Sequence, residues 1–251
     1  MIWTYRSDGR RAVAATMVGL VGTVEQVWRY PVKSLLGERL QVAEVDRRGI
    51  VDDRRWALSD HDGKLGSGKS TTRFRAMPGL LALAAKLSDG VPQVDFADGS
   101  TLPGDDRRID ARLSDHVGRP VTLTMESDVP HHDEKPIHLV TTASLAWLGA
   151  QHGHEVDVRR VRPSLVIAST EPAVGVPEAG WVGQRLRVGT VLLEITHETE
   201  RCVMVTQGQP GIGADPDLLR TIGRVHKLTF GVHADVLEPG RVSVGDAVTL
   251  L

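Results

Sequence analysis

The stretch "VGLVGTVEQVWRY" (residues 18–30) decides the fold class, because apolar and polar residues alternate along it. A period of two places one row of side chains on one face of a β-strand. Pro31 ends the pattern, since proline has no backbone N–H to donate to a sheet. Most of the remaining chain consists of similar strand-like segments, which are short, rich in β-branched residues and separated by glycine or proline. We therefore predict a mainly β protein with two β-barrel-like domains, whose closure protects the strand edges, and a few short helices.

The same patterns give the order of elements along the chain. Further strands are predicted at 39–49, 80–90 (helix being the alternative), 91–99, 121–125, 164–169, 185–196, 202–207, 227–237 and 241–251. Helices are predicted at 109–118, 142–153 and 215–224. Asp215 is a suitable N-cap for the last helix, and Pro216 suits its first position.

The acidic, proline-bearing segment 126–136 is interpreted as a surface linker between two domains. We predict an N-terminal domain at 17–125 and a C-terminal domain at 126–251. Residues 1–16 carry three arginines without the apolar core of a secretory signal, which predicts a poorly ordered leader. Met17 is then a candidate for the natural start.

Composition excludes several classes of protein. With 251 residues, 41% hydrophobic and 25% charged, the chain is typical of globular proteins. A net charge of −2 argues against a protein built to bind nucleic acid, and no apolar run is long enough to span a membrane. The single cysteine excludes an intramolecular disulfide, which favours a cytoplasmic location.

The segment "GKLGSGKST" (63–71) matches the phosphate-binding loop pattern of nucleotide hydrolases. That pattern works only between a buried strand and a helix whose first amides face the phosphates. Here a turn sequence precedes Gly63, and Pro78 arrives before two helical turns could form. We interpret the segment as an Asp-Gly hairpin turn followed by a basic loop. Nucleotide binding through Lys69 is the alternative, which loss of ATP affinity in Lys69→Ala would reveal.

The lone cysteine, Cys202, is a candidate for chemistry. A single cysteine is most often a small buried hydrophobic residue. Here Arg201 adjoins it, and a neighbouring cation favours the reactive thiolate. We place Cys202 at the junction of a loop and a strand, from which its side chain can project into a cavity.

Cationic and hydroxyl side chains gather in three other segments. A buried arginine requires an anionic ligand or a carboxylate. The segments contain Lys33 and Ser34 in a glycine-bearing loop, Arg54 and Arg55 alternating on a predicted strand, and Arg160 and Arg162 on one face of an extended segment. Together they suit a phosphorylated, anionic cofactor. Solvated loops and surface ion pairs are the alternative.

Histidine pairs occur at 131–132 and at 152 and 154. Metal sites built on histidine need three or four ligands, and these pairs stand beside acidic residues in predicted loops, far from Cys202 in sequence. A histidine metal site is therefore the less favoured interpretation. The nucleophile motif G-x-S-x-G is absent.

Six segments follow one another along the chain: "YPVKS" (30–34), "DRRW" (53–56), "TTASL" (141–145), "VRPSLVI" (161–167), "RCVMVT" (201–206) and "FGVHADVLEPGRVSVGDAV" (230–248). In this order they resemble the MOSC family, which is named after the C-terminal domain of molybdenum cofactor sulfurase. The resemblance is to the two-part members that precede the MOSC domain with an associated β-barrel, among them amidoxime-reducing proteins.

The resemblance implies a molybdenum cofactor of the molybdopterin type, with Cys202 as the metal-ligating thiolate. A soft thiolate suits a metal that also holds dithiolene sulfurs. The residues that would bind the pterin and its phosphate are Lys33, Ser34, Arg54, Thr141, Ser144, Arg160, Arg162, Ser164, Arg201 and Thr206.

The resemblance also implies an activity, the reduction of N-hydroxylated or other N-oxygenated small molecules. One cysteine cannot hold an iron–sulfur cluster, so electrons would come from a separate electron-transfer protein or reductase. The chain departs from the family pattern at Glu198 and Thr199, which replace Pro-Cys, and at Ser164, where asparagine is usual. A non-catalytic module that carries the cofactor, or sulfur on Cys202, is the alternative.

Overall fold

The computed structural model describes residues 19–128, 130–170 and 175–251, and it is mainly β. The predicted leader and Met17 lie outside the described residues. The strands are β1 (Gly19–Arg29), β2 (Glu38–Leu40), β3 (Val42–Asp46), β4 (Gly49–Ile50), β5 (Trp56–Ser59), β6 (Leu65–Ser67), β7 (Phe74–Ala76), β8 (Ala84–Ser88), β9 (Val91–Asp95), β10 (Thr101–Pro103), β11 (Thr122–Met125), β12 (Ile137–Thr141), β13 (Leu165–Ser169), β14 (Arg185–Val188), β15 (Val191–Glu200), β16 (Thr229–Glu238), β17 (Gly240–Ser243) and β18 (Ala247–Leu250). The helices are α1 (Ile109–Val117), α2 (Thr142–His152) and α3 (Pro216–His226).

Seven strands close a barrel in the order β13-β12-β16-β15-β14-β18-β1, and β1 pairs with β13 to complete the circle. β12 and β13 run parallel, and the other neighbouring pairs are antiparallel. Alternate residues of each strand point inward, and a bulge between Val24 and Gln26 shifts the alternation of β1, so Val24 and Val27 both join the barrel core. The strand predicted from the opening alternation is therefore confirmed, and it is the strand that removes the barrel's open edges.

A second apolar core lies among the smaller sheets. The four-stranded sheet β11-β5-β6-β7 and the three-stranded sheet β10-β9-β8 surround it, together with α1. Leu58, Leu83 and Leu113 are fully buried there. A third small sheet pairs β17, from the C-terminal part of the chain, with β3. Strands from each side of the predicted boundary at 125/126 thus pair with strands from the other side, as β1 does with β13 and β17 with β3. The boundary stays a prediction.

The three predicted helices are confirmed to within two residues at either end. Pro216 occupies the first turn of α3, as its fixed φ and missing N–H allow. Asp215 holds the N-cap position but does not cap with its side chain. Its carboxylate lies 2.8 Å from Nε2 of His152, which joins α3 to the end of α2.

The strand predicted at 202–207 is wrong. β15 ends at Glu200, and Val203–Thr206 forms a single 3-10 turn instead. Thr206 closes the turn, since its hydroxyl donates to the carbonyl oxygen of Val203 at 2.8 Å. The valines of this segment favour a strand by propensity, but propensity yields to tertiary context where the chain packs against α3.

The hairpin interpretation of the segment at 63–71 is confirmed. β5 and β6 pair antiparallel, and the carboxylate of Asp60 accepts hydrogen bonds from the backbone N–H groups of Asp62 and Lys64 within the turn. β6 then leads through a loop into β7, which is a strand and not a helix. The helix N-terminus that a phosphate-binding loop requires is therefore absent from this part of the chain. Among the described residues, no helix has the length and apolar character needed to cross a membrane.

Candidate functional site

A cavity of about 270 Å³ opens where the loops of the N-terminal sheets meet the barrel. Seven of the residues predicted for the site line it together: Lys33, Ser34, Arg54, Arg162, Ser164, Arg201 and Cys202. Cys202 lies between the end of β15 and the 3-10 turn. It therefore follows a strand, whereas the sequence predicted that it precedes one. Its side chain is partly exposed to the cavity.

Tyr30 is the contact point of the cationic residues that line the cavity. Its ring is buried, and the guanidinium carbons of Arg54 and Arg162 lie 4.7 and 4.3 Å from the ring centroid. Its backbone N–H donates to the carboxylate of Asp53 at 2.7 Å, and its hydroxyl donates to the carbonyl oxygen of Pro163 at 3.2 Å. Burial raises the pKa of Tyr30 to about 12, which keeps the phenol neutral. Three segments far apart in sequence therefore meet on one aromatic ring.

Three cavity residues have left-handed backbone, with φ of 65° at Ser34, 51° at Arg54 and 51° at Arg162. Arg54 was expected on a strand and Arg162 in an extended segment, and both expectations are wrong. Arg54 lies in the turn before β5, and Arg162 follows a 3-10 turn at Val158–Arg160. Left-handed backbone is unfavourable for residues other than glycine and concentrates at functional sites.

The charges of Arg54 and Arg162 are balanced to different extents by neighbouring groups. Arg54 forms an ion pair with the carboxylate of Asp53, which is fully buried, so the inward arginine has the carboxylate that its burial requires. Arg162 has buried terminal nitrogens, Nη1 and Nη2, without a hydrogen-bond partner among the described residues. Burial lowers the pKa of Arg162 to about 10. A buried cation without a partner is costly, so its nitrogens are suited to an anionic ligand.

Arg201 is partly compensated. Its Nη2 donates to the carbonyl oxygen of Val161 at 2.7 Å, and its Nη1 lies 3.4 Å from Nε2 of His138. Its Nε is buried and has no partner in the described part of the chain. Burial lowers the pKa of Arg201 to about 10. Arg201 therefore holds a spare donor beside Cys202.

Lys33 is almost fully buried, and its ammonium lies 2.5 Å from a carboxylate oxygen of Asp133 and 4.5 Å from the ring centroid of Phe74. Burial lowers the pKa of Lys33 to about 8, against the opposing effect of Asp133. Asp133 belongs to the segment predicted as a surface linker, and its side chain is exposed, as that prediction requires. The segment forms a wall of the cavity, with His131 and His132 buried.

The cavity carries net positive charge. Its lining contains six cationic side chains, namely Lys33, Arg54, Lys69, Lys135, Arg162 and Arg201, and three carboxylates, namely Asp133, Glu134 and Glu200. The buried imidazoles do not add to this charge. Burial lowers the pKa of His132 to about 4 and that of His138 well below its ordinary value. The excess of fixed cations favours an anion with more than one charge.

The basic loop after β6 covers one side of the cavity. A Cβ atom at Gly68 would lie 2.1 Å from the sulfur of Met204, so a larger residue in the loop would require the flexible Met204 side chain to move. Lys69 follows and lines the cavity. Gly68 and Lys69, which produce the match to the nucleotide-binding pattern, thus belong to a loop beside the cavity and not to a turn between a strand and a helix.

Thr141 and Ser144 were predicted for the cofactor, but the described residues that line the cavity do not include them. Thr141 caps α2, where its hydroxyl oxygen accepts from the N–H of Ser144 at 3.0 Å. Both hydroxyls also donate to the buried carboxyl group of Glu178, and the Thr141 hydroxyl does so at 2.9 Å. Burial raises the pKa of Glu178. These polar groups are satisfied inside the protein, by a glutamate too distant in sequence to be recognised as their partner.

Glu178→Ala is expected to lower the free energy of unfolding by about 2–4 kcal/mol, because three buried donors lose their acceptor, namely the two hydroxyls and the backbone N–H of Thr141. Urea unfolding followed by circular dichroism measures this change. Glu238→Ala is the matched control, since Glu238 makes an exposed ion pair with Arg187 that contributes at most about 1 kcal/mol. Equal effects of the two substitutions would contradict the proposed role of Glu178.

Arg160 and Thr206 also lie apart from the described residues that line the cavity. The guanidinium of Arg160 is buried and donates to the carbonyl oxygens of Val205 at 3.3 Å, Gln207 at 3.3 Å and Gly213 at 2.5 Å. Arg160 therefore fixes the loop that follows Cys202. The prediction that it shares one face with Arg162 is wrong because the chain turns between them.

Several cavity residues were missed from the sequence. His138 and His233 lie opposite each other on paired strands, β12 and β16, and Asp133 precedes β12. No local pattern marks these residues as a group. Their common signal is strand register, which becomes visible only when the strand pairing is known.

The fold and the cavity define a β-barrel protein with a cationic binding site that contains a single thiol. The family model of the MOSC domain matches residues 126–249, and that of the MOSC N-terminal beta barrel domain matches residues 21–128. The chain therefore belongs to the MOSC family, in the form that carries both domains.

Relatives agree with this assignment. Mitochondrial amidoxime reducing component 2 from Bos taurus is 23% identical, over 98% of this chain and 87% of the relative. Mitochondrial amidoxime-reducing component 1 from Homo sapiens is 24% identical, over 92% of this chain and 83% of the relative. Molybdenum cofactor sulfurase from Drosophila grimshawi is 31% identical over 45% of this chain and 15% of its own length. The crystal structure of YUAD protein from Bacillus subtilis has the same fold, with a TM-score of 0.52 at 13% identity over 93% of this chain and 98% of that one.

Proposed function

We propose that the chain binds a molybdenum cofactor of the molybdopterin type in the cavity. The observation that carries this proposal is the pair of unpartnered, buried donor groups on Arg162 and Arg201, beside the Cys202 thiol. Guanidinium groups bind phosphate oxygens through paired, charge-assisted hydrogen bonds. A thiol supplies the soft ligand that molybdenum accepts. The residues present therefore fit the group.

Each side chain has a distinct part in this binding. Lys33, Arg54 and Arg162 would hold the phosphate and the pterin, and Ser34 and Ser164 provide short, buried hydrogen-bonding groups in the cavity lining. Cys202 provides the metal ligand, and the adjoining Arg201 favours its thiolate form. The bound group supplies a metal that changes its oxidation state by two electrons.

The reaction that we propose is the reduction of N-hydroxylated and other N-oxygenated small molecules. It is supported by the amidoxime-reducing relatives, whose length this chain covers by more than four fifths. In such a reduction the N–O bond breaks, two electrons and two protons are consumed, and the oxygen leaves as water. The electrons come from a separate electron-transfer protein or reductase. A reducing cytoplasm, which we propose as the location, keeps the Cys202 thiol free.

The test is the metal and pterin content of the protein from a host that makes molybdenum cofactor, followed by turnover of an amidoxime. Near-stoichiometric molybdenum and pterin with N-reductive turnover supports both parts of the proposal. A folded protein with neither molybdenum nor pterin, from a competent host, rejects the cofactor site.

A carrier function is the second candidate. It is favoured by the 31% identity to a molybdenum cofactor sulfurase over the matched part of the chain and by the partial exposure of Cys202. A carrier gives its cofactor to a cofactor-free molybdenum enzyme and shows no turnover of its own. Rapid transfer without amidoxime reduction would select this function.

The pKa of Lys33 predicts a pH dependence of anion binding. Above about pH 8 the ammonium of Lys33 loses its charge in the ligand-free protein, so anion affinity falls as the pH rises. Sulfate is a suitable probe because its own charge is constant from pH 7 to 9. Calorimetry on cofactor-free protein should show affinity falling by up to about tenfold per pH unit above 8. Lys33→Met should bind sulfate weakly at pH 7 and without this dependence. The same pH profile in both proteins would assign the effect to another group.

A further inference from the structure

Three imidazoles form a row across neighbouring barrel strands. His138 on β12 pairs in register with His233 on β16, and His233 pairs in register with His197 on β15. The ring centroids are 5.5 Å apart for the first pair and 5.2 Å for the second. Val232 and Ala234 belong to the barrel core, so the alternation of β16 places His233 on the opposite face. The row therefore lies outside the barrel, along the cavity side.

Glu134 joins the outer end of this row. One of its carboxylate oxygens lies 2.9 Å from Nε2 of His197, and the other lies 3.8 Å from Nε2 of His233. The three ligand atoms all lie within 4.8 Å of one another. Nε2 of His197 is buried, yet it makes no hydrogen bond of acceptable geometry to any described residue. Two imidazole nitrogens and a carboxylate thus converge on one point, where Nε2 of His197 has no well-aligned hydrogen-bond partner among the described residues.

We propose that this point binds a divalent transition metal ion of the zinc class through Glu134, His197 and His233. Two histidines and one carboxylate are a recurring ligand set for zinc, and such sites keep an open fourth position for water or substrate. Nδ1 of His233 lies 3.4 Å from the carbonyl oxygen of Ile137. A contact of this kind orients the other ring nitrogen toward a metal.

The position of the site gives the ion access to the cavity. Glu134 and His233 line the same cavity as Cys202, so an ion bound by them would lie beside that space. The site uses none of the residues proposed to hold the molybdenum cofactor. Its occupancy can therefore be measured, and the inference rejected, whatever the outcome for that cofactor.

A second cluster of possible metal ligands shows that proximity of ligand atoms is not sufficient for a metal site. His152, His154 and Asp215 also bring three ligand atoms together. However, both ring nitrogens of His152 have partners, Thr221 at 3.0 Å and Asp215 at 2.8 Å. His152 therefore acts as a structural link between two helices and has no nitrogen to spare. This cluster provides an internal control.

The experiment titrates the full chain, freed of metal by a chelator, with Co²⁺, and then displaces cobalt with Zn²⁺. Visible absorption should show one bound Co²⁺ per chain, without the near-ultraviolet band of a cobalt–thiolate bond. His197→Ala should weaken Co²⁺ binding by at least about 100-fold, since even outer-shell changes cost about 10–100-fold. Glu134→Gln, at an exposed position, should weaken it by at least about tenfold with the fold intact. Circular dichroism checks folding of each variant.

Two control variants separate this site from the other candidates. His154→Ala and Cys202→Ala should leave Co²⁺ affinity unchanged, because neither residue belongs to the site. Failure of the wild-type chain to bind Co²⁺ would overturn the inference. It would also be overturned by unchanged affinity in folded His197→Ala and Glu134→Gln, or by loss of binding in His154→Ala or Cys202→Ala.

Discussion

Replacing Cys202 with alanine is expected to abolish molybdenum retention and amidoxime reduction, while the protein remains folded. The thiol is partly exposed in the cavity and outside all three apolar cores, so its removal costs little stability. It is also the single cysteine of the chain, so no other side chain can supply a thiolate. Elemental analysis, amidoxime turnover and thermal unfolding measure the three expectations.

The pterin provides an internal control for this variant. Because Arg54 and Arg162 are proposed to hold the pterin and its phosphate, Cys202→Ala should keep more pterin than molybdenum. The unfolding curve shows whether the variant is folded, because an unfolded variant would lose molybdenum for a different reason. Retention of wild-type, molybdenum-dependent turnover in the folded variant would refute the assignment of Cys202 as the metal ligand.

Replacing Arg162 with methionine is expected to change stability and binding in opposite directions. Removal of a buried cation whose terminal nitrogens find no partner among the described residues should raise the free energy of unfolding of the cofactor-free protein by about 1–3 kcal/mol. The same change removes a charge-assisted contact to the proposed phosphate, worth about 1.5–3 kcal/mol. Cofactor retention should therefore fall at least about tenfold. Urea unfolding and pterin content measure the two effects.

Arg160 supplies the matched control from the same segment. Arg160 is buried, and its guanidinium donates to three backbone carbonyl groups away from the cavity, whereas only the terminal nitrogens of Arg162 are buried, without a partner among the described residues. Arg160→Met should therefore lower stability by about 1–3 kcal/mol, because those carbonyl groups lose their donor. A stabilised Arg160→Met, or a destabilised Arg162→Met, would contradict the distinction between a structural and a ligand-binding arginine.

Elements with a local signal could be predicted from the sequence. The alternation at 18–30 predicts β1, and the proline at the start of α3 predicts the beginning of that helix. The segment at 202–207 has the same apolar, β-branched character as a strand, yet it forms a 3-10 turn. Propensity describes the preference of an isolated segment, and here packing against other elements determines the outcome.

The same limit applies to the site. Lys33 was found from the Lys-Ser pair in a glycine-bearing loop, and Arg54 and Arg162 because a buried arginine requires an anionic partner. Thr141 and Ser144 have equally suitable chemistry, but their partner is Glu178, which no local pattern connects to them. The histidine row was missed because strand register, rather than sequence spacing, brings its members together.

The position of β1 in the barrel has a consequence for the order of folding. Residues 30–136 are inserted between the first barrel strand and the second, β12, so β1, which also pairs with the nearby β2, must wait for its barrel partners β13 and β18, more than a hundred residues away. Pairings of such long range are slow to form, because the loop must close before any contact offsets its entropy. The loop that carries Lys33 follows β1 directly, and the cavity is complete only after β13 and β18 have joined β1. A nascent chain therefore cannot form the cavity early, and binding of the proposed cofactor must follow the synthesis of nearly all of the described residues.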